Sequence, residues 1–363
     1  MGERIFVQGN EAIGWGALSA DCDAFFGYPI TPQNEATEWF AREFPKNGKV
    51  FVQTESETGS INMLFGAASA GVRCMTSTSS PGWGLMQEGI SHIVAADLPC
   101  VIALVQRGGP GAGTTRHAQT DYKSVVTGGG PGDYKNIVLA PASVQEIHDL
   151  VQMAFYLSDK YRNPVILLSD GILGQIREPL EIETIDFGEL PYKDWALRGR
   201  DNQKDKGRRF IHGAPGLVPT TFGMDYNDWL EHAAKKFEDM LSEVRYEIYN
   251  GDDAELLIIA YGYPARSTEE AVNIARKEGY KVGMIRPITL WPFPEKIIKE
   301  KAQKGCNFIV VEDSLGQMVD DVKHAVCGMS DVHLLNILDR HLRHDGGMLL
   351  PGRIYEEIKK RIK

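Results

Sequence analysis

The sequence has no run that approaches the ~20 consecutive apolar residues of a membrane helix. Its longest apolar runs, such as Val101 to Val105 and Leu256 to Ala260, are the size of strands. The opening residues Met1 to Phe6 lack an apolar leader core, so no secretory signal is expected. Cysteine is scarce. The five residues Cys22, Cys74, Cys100, Cys306 and Cys327 include no C-x-x-C pair. That spacing argues against a disulfide framework, a zinc ribbon and a cluster-binding loop, and four of the five sit among apolar neighbours. They read as reduced residues of a cytoplasmic protein. Basic runs are absent too: 39 Lys and Arg against 49 Asp and Glu give a net charge of −10, which disfavours nucleic-acid binding. No G-x-x-x-x-G-K-[ST] occurs. Gly14-Trp15-Gly16-Ala17-Leu18-Ser19 lacks the third glycine of a dinucleotide loop, and Gly109 to Gly113 has the wrong spacing.

What is present is alternation. Ile5 to Val7, Ala24 to Phe26, Val50 to Val52, Val72 to Met75, Val101 to Val105, Ile137 to Leu139 and Val165 to Leu168 read as strands. Between them, Glu57 to Ala70, Gly84 to Ala96 and Val144 to Ser158 read as helices. Alternating strands and helices predict a mostly parallel sheet covered on both faces. After Gly188 the pattern stops. Leu190 to Thr221 is rich in Gly, Pro and charge, holds Trp195 and the Lys204 to Arg209 cluster, and reads as a connection wrapping a surface. A charged helix is expected from Tyr226 to Tyr249. A second α/β unit then starts at Glu255, with a helix from Ser267 to Glu278 that Ser267 and Glu270 would cap. The expectation is an α/β protein with two doubly wound parallel-sheet domains, at 1–188 and 251–363, joined by 189–250.

In such sheets ligands sit beyond the carboxyl ends of the strands. After the strand at 24–26 comes Gly27-Tyr28-Pro29-Ile30-Thr31-Pro32, which also reads as a stiff turn with Thr31 as N-cap and Pro32 at N1. After 50–52 come Glu55 and Glu57 at a helix start, where acidic residues are favourable anyway. The helix behind Glu57 is almost uncharged, so this carboxylate faces a packed region. Thr76 to Ser80, followed by Pro81-Gly82, could line a pocket or cap locally. After 101–105, Arg107 precedes the glycine-rich Gly108 to Gly113 and suits an anionic substrate or open solvent. Asp170-Gly171 reads as structural.

Taken in order, Gly9-Asn10-Glu11-Ala12, Gly27 to Pro32, Glu55-Ser56-Glu57, Ser79-Ser80-Pro81-Gly82 and Arg107-Gly108-Gly109-Pro110-Gly111 resemble the α subunits of 2-oxoacid:ferredoxin oxidoreductases. Arg286 to Pro294 and Val311 to Met318 resemble that family's C-terminal domain, so the likeness spans nearly the whole chain. It implies a pyrimidine-type thiamine diphosphate domain followed by a transketolase C-terminal-like domain. It also implies an oxidative decarboxylation of a 2-oxoacid to acyl-CoA and CO₂, with electrons passed to iron–sulfur clusters. The diphosphate, the Mg²⁺ and the [4Fe-4S] clusters would lie on partners: a β subunit, a γ subunit and a ferredoxin-like δ subunit or domain.

By the same resemblance Glu57 hydrogen-bonds the cofactor's aminopyrimidine. Tyr28, Pro29, Ile30, Ser80 and Pro81 lie around the cofactor. Thr31 and Arg107 match groups near the substrate carboxylate; Gly108, Arg116 and His117, in the loop that follows, are expected around the substrate from their position and not from the resemblance. Gln33-Asn34-Glu35 and Met86 to Ser91 resemble enzymes for branched-chain 2-oxoacids such as 3-methyl-2-oxobutanoate. The loop Thr114 to Asp121 departs from that pattern, and its Arg116 and His117 would suit an acidic or aromatic 2-oxoacid. Two other classes remain in view: a non-catalytic assembly subunit, and a nucleotide-dependent dehydrogenase, which the failed glycine patterns disfavour.

Overall fold

The computed structural model describes residues 3–198, 211–214, 225–338 and 347–362. Its first half runs β1 (Glu3–Gln8), α1 (Gly9–Ser19), β2 (Ala24–Gly27), α2 (Asn34–Glu43), β3 (Val50–Gln53), α3 (Glu57–Ser69), β4 (Cys74–Ser79) and α4 (Ser80–Ala95). It continues through β5 (Cys100–Gln106), α5 (Tyr122–Val126), β6 (Ile137–Leu139), α6 (Val144–Tyr161), β7 (Pro164–Asp170), α7 (Gly171–Gln175) and β8 (Arg177–Ile182). The second half holds α8 (Tyr226–Met240), β9 (Tyr246–Tyr249), β10 (Leu256–Ile259), α9 (Tyr263–Lys277), β11 (Val282–Pro287) and β12 (Thr289–Trp291). It ends with α10 (Glu295–Gln303), β13 (Asn307–Val311), α11 (Met318–Val326), β14 (Val332–Leu335) and α12 (Pro351–Arg361).

Two sheets carry the fold, in the orders β12-β6-β7-β5-β4-β2-β3 and β14-β13-β10-β11-β9. Strands β4, β5 and β7 are buried throughout and read as continuous apolar or small-residue runs, as strands covered on both faces do. Ala36, Trp39 and Phe40 of α2 pack with Phe25 and Met75 on one face. Ile61 and Leu64 of α3, and Trp83, Met86 and Ile90 of α4, pack with Ala24, Phe26 and Cys74 on the other. The chain therefore leaves β2 toward one face and leaves β3 and β4 toward the opposite face. The winding reverses at β2, and the crevice for a ligand opens there.

Several sequence expectations change in detail. The strand at 5–7 pairs antiparallel with β8, outside the main sheet. The helix expected to reach Tyr249 stops at Met240, because Tyr246 to Tyr249 pairs as an antiparallel edge strand with β11. The second sheet thus reaches back to Tyr246. Ser267 lies inside α9, not at its cap: the helix starts at Tyr263, after Gly262 at φ 64°. Its first N–H is taken by Asp170 of the other half, 2.9 Å away. Strand β12, which no expectation named, crosses to the first sheet and pairs antiparallel with β6.

The connection after Gly188 packs its described residues on the α3 and α4 side. Leu197 N donates to Ser69 O at 2.8 Å, and the Arg162 guanidinium stacks 4.6 Å from the Trp195 ring. The Lys204 to Arg209 cluster lies outside the described residues. Close by, Asp97 takes Lys236 and His232 of α8 at 2.7 Å each, which holds its carboxyl far below the usual range despite burial. No helix among the described residues is long and apolar enough to cross a membrane.

Candidate functional site

The turn after β2 is built stiff from both sides. Gln33 is buried and donates to Tyr28 O at 3.2 Å, while Ser77 and Thr37 donate to its amide oxygen at 2.7 and 3.0 Å. Asn10 of α1 and Gln175 of α7 both donate to Pro32 O, at 2.6 and 3.2 Å. Thr31 does not cap α2, which begins three residues later at Asn34. Its carbonyl accepts from Arg107 Nη1 at 2.8 Å, and its hydroxyl accepts from Asn34 Nδ2 at 3.3 Å. Tyr28 and Pro29 are left exposed at the rim, with Ile30 half-buried.

Glu57 opens α3, whose N-cap is Ser56, not Glu55 or Glu57. Glu55 is exposed; Glu57 is only 5% exposed. Among the described residues no protein group hydrogen-bonds or pairs with the Glu57 carboxyl. It is wedged against the first turn of α4. A Cβ on Gly82 would fall 2.6 Å from Glu57 Cγ and 2.1 Å from Thr78 Oγ1, so only glycine lets that turn approach. The residue is buried as a whole, yet its carboxyl oxygens are not among the sealed, unpartnered polar atoms of the fold, so the carboxyl stays open to a further hydrogen-bond partner.

Arg107 stands at the end of β5. Nη2 donates to Ala112 O at 2.8 Å, which, with Nη1 on Thr31 O, ties the glycine-rich loop to the β2 turn. Nε is buried without a partner among the described residues. Ser80 does not face outward from α4: its hydroxyl lies 2.9 Å from Arg107 N, 3.1 Å from Arg107 O, and in short contact with Asp121 Oδ2. Pro81 follows, half-buried, at the start of α4. Glu57, Thr31, Arg107 and Ser80 thus gather over the ends of β2 to β5. Sequence reasoning missed Asp121. Its only signal was an acidic residue at the end of the loop that follows Arg107.

Gly108, Arg116 and His117 fall elsewhere. They line a cleft of about 620 Å³ between the halves, together with Thr114, Asp313 and Ser314; its lining does not include Glu57, Thr31 or Arg107. His117 Nδ1 lies 2.7 Å from Asp313 Oδ2, which also accepts from Tyr263 at 2.8 Å. Gln119 exchanges two bonds with the Asp313 backbone, at 2.7 and 3.0 Å. Tyr122 and Lys123 hold Asp321 at 2.7 and 2.8 Å. The loop after Arg107 is therefore fastened to the second half along most of its length.

Glu57 is thus a carboxyl that no group among the described residues engages. Among the described residues no group of three His, Cys, Asp or Glu is arranged to hold a metal. Two family models match. Residues 15–247 match "pyruvate flavodoxin/ferredoxin oxidoreductase, thiamine diphosphate-binding", and residues 254–359 match "pyruvate:ferredoxin oxidoreductase core domain II". The ketoisovalerate oxidoreductase subunit VorB of Methanothermobacter marburgensis is 47% identical over 337 residues, 93% of each chain. The 2-oxoglutarate synthase subunit KorA of the same organism is 38% identical over 355 residues, 92% of this chain and 94% of that one. A solved 2-oxoglutarate:ferredoxin oxidoreductase from Magnetococcus marinus, with 2-oxoglutarate, coenzyme A and succinyl-CoA bound, superposes with TM-score 0.81 at 27% identity. All of this chain and 66% of that chain are covered. A split-gene transketolase shares the fold alone, with TM-score 0.59 and 14% identity.

Proposed function

The chain belongs to the 2-oxoacid:ferredoxin oxidoreductase family, and from that premise we propose that it is the subunit that positions and activates the pyrimidine end of thiamine diphosphate. The single observation that carries the proposal is Glu57: buried, at a helix start, and without a partner among the described residues. In this reading a β subunit brings the diphosphate, the Mg²⁺ and a [4Fe-4S] cluster, and γ and δ subunits complete the complex in the cytoplasm. Bound there, thiamine diphosphate supplies the nucleophile and electron sink for loss of CO₂ from a 2-oxoacid. Glu57 holds a proton at its carboxyl for exchange with the ring. Gly82 lets the first turn of α4 approach that carboxyl closely. Thr31 and the uncommitted N–H groups of Arg107 hold the substrate carboxylate, for which a guanidinium has matching geometry.

The substrate proposed is a branched-chain 2-oxoacid such as 3-methyl-2-oxobutanoate. Identity is higher to the ketoisovalerate subunit than to the 2-oxoglutarate subunit, 47% against 38%. The loop that departs from the branched-chain pattern has a second use that explains it, since His117 is engaged by Asp313 across the seam. The test is to co-purify the chain with its partner subunits, assay bound thiamine diphosphate, and follow dye reduction with a panel of 2-oxoacids and CoA. A complex that carries no thiamine diphosphate would overturn the reading. A preference for 2-oxoglutarate would overturn the substrate alone.

A further inference from the structure

Arg107 is held by its backbone as firmly as by its side chain, and one hydroxyl does most of the holding. Ser80 Oγ accepts from Arg107 N at 2.9 Å and lies 3.1 Å from Arg107 O. A serine has one hydroxyl proton to give. Its two possible acceptors are the Arg107 carbonyl, which also receives Thr120 Oγ1 at 3.0 Å, and the carboxylate of Asp121; the charged oxygen is the stronger acceptor and the closer one, so the proton goes to Asp121 Oδ2. With the proton fixed on a carboxylate, the lone pairs of Ser80 are turned toward Arg107 N.

Asp121 is placed for this use. It stands at the N-cap of α5, where an aspartate usually bonds the helix's own first N–H groups, yet its side chain makes no such bond. It is turned instead onto Ser80. Its own N–H is fixed to Gln106 Oε1 at 3.2 Å, and Gln106 is buried with its amide nitrogen on Ser169 O at 3.3 Å. The next two residues are tied to Asp321 of the second half. Burial pushes the Asp121 carboxyl up to about 6, against the downward pull of Ser80 and Arg107. At neutral pH it is still mainly ionised and accepts.

We propose that Asp121 is a positioning residue: acting through Ser80, it fixes where Arg107 presents its guanidinium to the 2-oxoacid carboxylate. This rests on the reading that Arg107 meets that carboxylate. The experiment uses the assembled complex and measures KM, kcat and thiamine diphosphate content for Ser80→Ala, Asp121→Ala, Asp121→Asn and the Ser80→Ala/Asp121→Ala double variant. The expected result is a KM for the 2-oxoacid raised roughly tenfold in each alanine variant, with kcat within about twofold. Because Asp121 acts through Ser80, the double variant should be no worse than Ser80→Ala alone. Asp121→Asn, whose amide oxygen accepts the same bond, should stay within about twofold of wild type.

Unchanged KM in the alanine variants, or effects that multiply in the double variant, would overturn the proposal. So would an asparagine variant as impaired as the alanine one. Should Asp121→Ala not assemble, Ser80→Ala decides the question: its effect must vanish in an Arg107→Ala background, and persistence there refutes the coupling. Arg107→Ala measured alongside separates the two levels. If it leaves KM unchanged, the role given to Arg107 fails. If it raises KM while Ser80→Ala does not, only the present inference fails.

Discussion

Two buried carboxyls stand at equivalent places in the first sheet, each just beyond a strand and at a helix start, and their surroundings could hardly differ more. Asp170, at the end of β7, is 1% exposed and accepts from Ile172 N, Leu173 N and Tyr263 N at 3.1, 3.0 and 2.9 Å. Glu57, beyond β3, is 5% exposed and accepts from no described group. Asp170 is completed within the chain: it caps α7 and the first turn of α9, and so joins the two halves. Glu57 is left open. The fold satisfies one carboxyl threefold and leaves its counterpart open, which is the contrast that the proposed cofactor role of Glu57 builds on.

The comparison breaks most visibly if Glu57 proves structural. Glu57→Gln keeps size and hydrogen-bonding capacity but cannot transfer a proton. We expect the complex to assemble, to retain thiamine diphosphate, and to reduce dye at least ~100-fold more slowly, since such proton transfers contribute roughly 10²–10⁴-fold. Turnover near wild type would make Glu57 a helix-start decoration worth about 0.3–1 kcal/mol. Asp170→Ala should show the opposite pattern. It strands three buried N–H groups and should cost about 2–3 kcal/mol in urea unfolding. A stability change below about 0.5 kcal/mol there would mean that the seam does not depend on Asp170.

Arg107 lies between these extremes, with two N–H groups committed to the carbonyls of Thr31 and Ala112 and a buried Nε without a partner among the described residues. Arg107→Ala should raise the KM for the 2-oxoacid by roughly 10- to 100-fold, the worth of a charge-assisted bond of about 1.5–3 kcal/mol, while the cofactor stays bound. Loss of cofactor together with substrate affinity would instead assign Arg107 to holding the loops in place.

What the sequence could reveal follows the same division. Strand–helix alternation and the loops beyond the strands were legible, because buried parallel strands and helix starts leave local patterns. That brought Thr31, Glu57, Ser80 and Arg107 into view one loop at a time. Relations across the chain were not legible. Nothing local says that Asp170 caps the helix at Tyr263, that β12 leaves its own domain for the first sheet, or that Asp121 turns from its own helix to Ser80. Ser267 looked like a cap because its neighbours fit the motif; a carboxylate from the other half had already taken the helix start.

The smallest predicted effect sharpens the comparison by asking what completing Asp170 costs. Burial, aided by the negative charge of Asp313, pushes its carboxyl up to about 6 although the N–H groups of Leu173 and Tyr263 pull it down. In the unfolded chain the group returns to the ordinary aspartate range near 3.9. Between those values the folded protein binds a proton that the unfolded chain releases, so this group's contribution to stability falls as pH rises through that window. Asp97 has the opposite sign, since Lys236 and His232 hold it low and its contribution is lost only as pH falls below the unfolded value. Asp170→Asn removes the titration, keeps one oxygen for Ile172 N and Leu173 N, and loses the bond from Tyr263 N, a cost that does not vary with pH. Urea unfolding at pH 4.5 and at pH 7 should therefore show the asparagine variant gaining on wild type as pH rises. A gap that stays constant with pH would mean that the three N–H groups offset burial in full, and that Asp170 is ionised in the fold as readily as in the unfolded chain.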